Sequence, residues 1–343
     1  MKHAASRLAQ LTVSFFCLLP VFAIAQAPQP TPATAEPSAT SSQAAPAAPR
    51  QRRPPMDARA QEADLGLTDP ANPNLPSLIL VGDSTVRNGH GNGSDGLWGW
   101  GAPVADLFDP AKVNVVNRAI GGLSSHTYIS QGHWANTLQL IKPGDFVLIQ
   151  FGHNDGGLNL PGAPPIPDQG FPPGAAPSAP PAGLRGPNSR GSLPGVGEVT
   201  LEVENQFTHQ TELVHTFGWY LRKYVADVRA KGATPILCSL VPRKIWVDGH
   251  IRRNTDTYRG WTQTVAEEEH VPFIDLNEIV ARRYDALGPA TVDPLFGDAH
   301  THTTWAGAVL NAEAVVSGLR ALPHYPLDKY LSDKGKAIKP FKP

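Results

Sequence analysis

Four short polar clusters carry residue types that can act on one substrate together. Gly82-Asp83-Ser84-Thr85 puts a hydroxyl on a turn that glycine lets bend sharply, as a nucleophile must be presented. Asn117-Arg118-Ala119-Ile120-Gly121-Gly122 ends in two glycines, which allow the backbone to approach a ligand and aim an N–H at it. Gly152-His153-Asn154-Asp155-Gly156 adds an asparagine whose side-chain amide can donate to a developing oxyanion. Gly297-Asp298-Ala299-His300-Thr301-His302-Thr303-Thr304 places histidines and an aspartate on one loop, where they can supply a general base and its orienter. Together these are the parts of a serine-dependent acyl transfer. Taken singly, each is also ordinary turn chemistry, since Gly, Asn and Asp favour turns. His300 and His302 also suggest a metal, but His-x-His gives two ligands with no clear third nearby, so neither a metal nor a cofactor is expected.

The elements around these clusters say where they sit. Apolar runs at 77–81, 112–116, 146–151, 235–240 and 271–274 read as buried strands. Between and after them, 98–108, 134–141, 210–231, 257–269, 276–284 and 304–319 read as helices. Leu213, Phe217, Leu221, Tyr224 and Val228 carry the helical spacing of the third, and Gly232 stops it. Continuous apolar strands alternating with helices predict one α/β sandwich with a parallel sheet of about five strands. Ligands bind at the carboxyl ends of such strands. Each polar cluster falls at a strand end or at the start of the last helix, in the order Ser, Gly, Asn, His.

That order, with the stretches Val81–Thr85, Gly121–Ser125, Phe151–Gly157, His300–Thr303 and Ala306–Ala308, resembles the SGNH (GDSL-type) hydrolase superfamily. Within it the chain is most similar to the rhamnogalacturonan acetylesterase family of carbohydrate esterases. The resemblance covers about 77–322 apart from one insert. It implies a flavodoxin-like three-layer α/β/α sandwich that uses no metal. It implies Ser84 as nucleophile and His302 as base and then acid. The Ser84 and Gly122 backbone N–H groups, with the Asn154 side chain, would form the oxyanion hole. The implied function is removal of O-acetyl groups from acetylated rhamnogalacturonan. The family pattern puts the orienting acid three residues before the histidine, and here that position is Ala299. Asp298 is the favoured substitute; Asp293, or a bare Ser84–His302 pair, are the other possibilities. His300 is expected as a structural or substrate neighbour. Other esters, of a different glycan or of a lipid, remain open, as does a non-catalytic carbohydrate-binding protein. A lipase should line its cleft with apolar loops, and no such pattern follows the strands.

Composition narrows the classes further. Lys and Arg number 29 against 30 Asp and Glu, so nothing favours nucleic acid as a partner. Lys2, His3 and Arg7, the apolar run Leu11–Ile24 and the Ala23-x-Ala25 pattern read as a signal peptide over 1–25. Export to the periplasm or beyond the cell is expected, with no integral membrane segment left after cleavage. Cys17 would leave with that segment, and Cys238 alone makes no internal disulfide. Residues 26–75 read as a Pro- and Ala-rich disordered linker, and 76–343 as the hydrolase domain. A Pro- and Gly-rich insert at about 158–198 interrupts it. Trp98, Trp100, Trp134 and Trp219 read as core. Trp246 and Trp305 read either as core or as faces for a sugar ring. Arg87, Arg118, Arg243 and Lys244 lie near strand ends, either as solvated charge or as partners for uronate carboxylates. The oligomeric state is not legible.

Overall fold

All six residues of the first strand, Ser77–Gly82, are buried, which is the pattern of a strand covered on both faces. In chain order the strands are β1 Ser77–Gly82, β2 Asn114–Asn117, β3 Phe146–Gln150, β4 Thr200–Glu204, β5 Thr211–His215, β6 Thr234–Cys238, β7 Trp246–Val247, β8 His250–Ile251 and β9 Phe273–Ile274. The helices are α1 Ala58–Asp64, α2 Ser125–Ser130, α3 His133–Leu140, α4 Phe217–Ala230, α5 Tyr258–Glu268, α6 Leu276–Leu287, α7 Pro289–Val292, α8 Trp305–Leu319 and α9 Asp333–Ala337. The computed structural model describes residues 57–156, 191–205, 210–323 and 327–343. The expected signal peptide with Cys17, most of the expected linker and the greater part of the insert lie outside them.

The main sheet has five strands in the order β2-β1-β3-β6-β9, and every pair is parallel. Alternation splits the strand residues between two cores. Leu78, Leu80, Leu148 and Ile236 pack with Ile279, Val280, Val315 and Leu319 of α6 and α8. Ile79, Val81, Val147, Ile149 and Leu237 pack with Tyr128, Trp134, Leu221, Tyr224 and Val265 of α2 to α5. The result is an α/β/α sandwich. Truncating one such leucine would cost about 2–5 kcal/mol. Cys238 is buried in the first core and its thiol is pushed up by burial, so it is a small hydrophobe and not a nucleophile.

Helix ends follow local chemistry. Thr216 caps α4 by accepting from the Trp219 N–H, and Asp275 caps α6 by accepting from Glu278. Ser124 and Thr127 form a capping box at the start of α2.

Three expectations fail. The helix predicted from 210 begins only at Phe217, because 211–215 pairs antiparallel with β4. Leu213 is 49 % exposed while Val214 is fully buried, the period of a strand. The helix predicted over 98–108 is a bridge residue at Trp98, a turn over 100–102 and then a 3-10 helix, Pro103–Leu107. A Cβ on Gly99 would lie 2.2 Å from the Val86 carbonyl carbon, so this segment is docked too tightly on the loop after β1 to coil.

The linker expected over 26–75 ends early. α1 sends Glu62 into the body, where it pairs with Arg118, accepts from Asn136 at 3.1 Å and meets His133 Nδ1 at 2.9 Å. Burial opposes the Glu62 charge, yet the His133 and Asn136 bonds and the Arg118 charge hold its pKa below the ordinary value. Glu62→Ala should lower stability by about 3–5 kcal/mol, because it strands a buried guanidinium. Urea denaturation would measure it, and a loss under 1 kcal/mol, roughly the value of an exposed pair, would refute the buried role.

Candidate active site

The loop of the candidate nucleophile Ser84 is set by a close approach. A Cβ on Gly82 would come within 2.5 Å of the Gln150 carbonyl, so β1 can end here only in glycine. Asp83 then turns the chain by accepting from the Thr85 N–H and hydroxyl at 2.9 and 2.8 Å. Behind it runs a buried chain of donors. Trp100 Nε1 donates to Gln150 Oε1 at 2.8 Å, and Gln150 Nε2 donates to the Thr85 hydroxyl at 2.7 Å. Burial pushes the Asp83 carboxyl up, against the Thr85 bonds. Ser84 emerges from this frame 8 % exposed, with Oγ 2.9 Å from His302 Nε2.

His302 is in turn held from its other nitrogen. Its Nδ1 lies 2.6 Å from Asp298 Oδ2. The second carboxylate oxygen of Asp298 accepts three backbone N–H groups, from His300, Thr301 and His302, at 3.0, 2.7 and 3.0 Å. Burial raises the Asp298 pKa, but the Thr301 and His302 bonds outweigh it, and the acid lies below the ordinary carboxylate value. The loop is closed by Gly297 N–H donating to the His302 carbonyl at 2.9 Å and by the Phe296–Thr303 bridge. It therefore holds one more residue between acid and base than expected, and that residue, Ala299, faces solvent.

Asp293 is not the orienter: it is exposed and paired with Lys244. His300 belongs to the frame, its Nδ1 2.7 Å from the Thr301 hydroxyl. Arg243 ties that loop to the third cluster, donating to the Thr301 hydroxyl at 2.7 Å and to the His153 carbonyl at 3.3 Å. Burial and the Arg243 charge hold His153 well below the ordinary imidazole value, so it enters as a neutral ring.

The turn that carries one candidate oxyanion donor, the Gly122 N–H, lies beside Ser84. A Cβ on Gly121 would lie 3.4 Å from the Ser84 Cβ, which places the Gly121-Gly122 turn against the nucleophile. Gly122 has φ +80, a conformation few other residues adopt. Asn154 Nδ2 donates to the Leu123 carbonyl at 3.0 Å, fixing its amide beside that turn. Asn154→Ala should cut kcat by about 10²–10³-fold with KM little changed. Steady-state kinetics on a small ester would check it, and an equal rise in KM would instead indicate ground-state binding.

Asp155 fits turn chemistry in the sequence, and the structure makes it a hub. It accepts from the Ser125 N–H and hydroxyl at 3.1 and 2.5 Å and from the Ser192 hydroxyl at 3.0 Å. It thereby joins the third cluster, the start of α2 and the segment that returns from the insert. Burial pushes its pKa up to about 6, against those bonds. A carboxyl raised above its unfolded value contributes stability below that value, lost as pH rises through about 6. Asp155→Asn should therefore flatten the fall in Tm between about pH 4 and pH 6. Parallel Tm profiles of the two proteins would overturn this.

The remaining candidates separate. Trp246 packs against the apolar core of the α6 and α8 face. Trp305, the first residue of α8, is 45 % exposed and stands edge-on to Trp98 with centroids 4.6 Å apart. Trp98 is not core as expected: it is half-buried and bridges to Thr303, beside His302. Of the four basic residues, Arg87 is buried and donates to the carbonyls of Leu65, Gly89 and His90. Arg118 is spent on Glu62, Lys244 on Asp293 and Arg243 on the loop clamp, so none is the free surface charge expected. Among the described residues no group of three or more His, Cys, Asp or Glu is placed to hold a metal, and no helix is long and apolar enough to cross a membrane.

The chain is similar to known proteins. The GDSL-like Lipase/Acylhydrolase family matches residues 80–310. A rhamnogalacturonan acetylesterase from Emericella nidulans is 28 % identical over 243 residues, covering 71 % of this chain and 84 % of the relative. Rhamnogalacturonan acetylesterase RhgT of Bacillus subtilis is 26 % identical over 274 residues, covering 76 % and 96 %. The crystal structure of YxiM from Bacillus subtilis superposes with a TM-score of 0.51 at 25 % identity, covering 72 % of this chain and 56 % of that one.

Proposed function

This chain belongs to the GDSL-like lipase/acylhydrolase family and is a carboxylic ester hydrolase, and from that premise we propose that it is an acetylesterase acting on a plant cell-wall polysaccharide, foremost acetylated rhamnogalacturonan. The observation that carries the mechanism is the unbroken line from Ser84 through His302 to Asp298, at 2.9 and 2.6 Å. In this reading Ser84 Oγ attacks the ester carbonyl while His302 Nε2 takes its proton. The Ser84 and Gly122 N–H groups and the Asn154 amide stabilise the tetrahedral oxyanion. His302 then gives the proton to the leaving sugar oxygen. Water, activated by the same imidazole, attacks the acyl-serine and releases acetate. Asp298 keeps the imidazole in the tautomer that presents Nε2 to the serine and stabilises the imidazolium. The choice of acetyl group and of pectic polymer is supported by the relatives, two of which carry that activity in their names. We further propose export, from the basic start and apolar run at 1–25.

Acetate release from acetylated rhamnogalacturonan, with acetylated xylan in parallel, tests the assignment. Release from the pectic polymer supports it. Release from xylan alone keeps the chemistry and replaces the substrate, and no release from either removes the polysaccharide assignment.

A further inference from the structure

The segment after α8 carries a charge pattern that the chemistry at Ser84 does not use. The whole chain is balanced, 29 basic against 30 acidic residues. Yet 333–342 holds Lys334, Lys336, Lys339 and Lys342 against the single acid Asp333. This segment is pinned beside α8. Ser317 Oγ donates to the Lys339 carbonyl at 2.8 Å, and the Phe341 N–H donates to the Ser317 carbonyl at 2.9 Å.

Two adjoining hollows of 440 and 680 Å³ run between the segment and α8, and they share Glu313, Lys334, Ala337 and Ile338. Both volumes fall within the ~300–1,000 Å³ of ordinary ligand sites. The first opens on Trp305; the second is lined by Arg283, Lys339 and Lys342. Lys334, Lys339 and Lys342 are exposed and make no ion pair among the described residues. Two acids line the trough. Asp106 is in the first hollow, and Glu313 faces Arg283 at 3.8 Å. Cations therefore outnumber carboxylates along it. Its aromatic end adjoins the candidate active site, since Trp305 follows His302 by three residues and packs on Trp98, which bridges to Thr303. From Trp305 to Glu313 the helix rises about 12 Å.

We propose that this trough is a second, non-catalytic binding site for a uronate-bearing polysaccharide, leading away from Ser84 along α8. The proposal rests on the polysaccharide-esterase reading above and adds a site to it. The exposed indole covers the apolar face of a sugar ring. The ammonium groups of Lys334, Lys339 and Lys342 pair with uronate carboxylates, and a neutral polymer offers them no partner. A chain held there presents its ester groups to Ser84 at raised effective concentration.

The test uses the full chain carrying Ser84→Ala, which binds without turnover, titrated with non-acetylated oligogalacturonate and with neutral xylo-oligosaccharide. Oligogalacturonate is expected to bind, xylo-oligosaccharide is not, and binding should fade at about 0.5 M salt as screening shortens. Trp305→Ala should weaken binding about three- to tenfold. Lys339→Glu with Lys342→Glu, both exposed side chains, should weaken it about tenfold or more. In the active chain the same charge reversal should lower kcat/KM on the acetylated pectic polymer about tenfold while turnover of a small aryl acetate is unchanged. Equal binding of the neutral oligosaccharide, or oligogalacturonate binding that the charge reversal leaves intact, overturns the proposal. Failure of the esterase reading shows separately, as wild-type protein that releases no acetate from any polymer.

Discussion

Ser84→Ala is expected to lower kcat for an aryl acetate by about 10⁶-fold while changing stability by no more than about 1 kcal/mol. The size follows from the lack of a substitute. The neighbouring hydroxyl, Thr85, is committed: it donates to Asp83 at 2.8 Å and accepts from Gln150 at 2.7 Å. Cys238 lies in the first core with its thiol pushed up by burial. What survives should be the contribution of the oxyanion donors alone, a residual rate about 10³–10⁴ above water. Steady-state kinetics with a thermal melt on the same sample would measure both quantities. More than about 1 % residual activity would mean that the attacking group is not Ser84.

Asp298→Asn should lower kcat by about 10⁴-fold with KM little altered, because an amide can hold the imidazole in the wrong tautomer. The side chain also organises the loop, since one of its oxygens gathers three N–H groups. Asparagine keeps an acceptor there, so this variant isolates the charge; alanine would confound it with loop collapse. Ala299→Asp is the companion measurement. Position 299 faces solvent, and a carboxylate placed there should change kcat less than about twofold. Recovery of Asp298→Asn by Ala299→Asp would show that the loop can shift its register; near wild-type kcat in Asp298→Asn alone would remove the assignment of Asp298.

Much of the site was legible because apolar runs are informative. Strands with no polar residue must be covered on both faces, so the polar clusters that interrupt the pattern fall at strand ends, which parallel topology brings to one edge. That logic places the clusters that hold Ser84, Gly122 and Asn154; the choice of Gly122 over Gly121 and of His302 as the base comes from the family resemblance. The failures share a cause, which is contact between distant segments. Arg118 reads as a charge near a strand end, and only the arrival of α1 makes it half of a buried pair. Glu62 itself stands in a stretch whose composition reads as linker. The 211–215 strand carries residues compatible with either period, and pairing with β4 decides it. Asp155 looks like turn filler until Ser125 and Ser192 converge on it. Trp98 fits a helical pattern, and tight docking along the nucleophile loop overrides that preference.

The Asp298 loop has a consequence for how such chains are recognised and how they diverge. Asp298 and His302, the proposed acid and base, are joined by a ring of hydrogen bonds that closes on itself, so the number of residues between them is a property of the ring. A length change here is tolerable wherever the amides can still converge on one carboxylate oxygen. Insertions and deletions should therefore accumulate in this loop more readily than in β1, where adding one residue would turn every side chain to the opposite face. A search keyed to a fixed acid-to-histidine interval discards this chain as a degenerate relative. A search keyed to closure of the ring retains it.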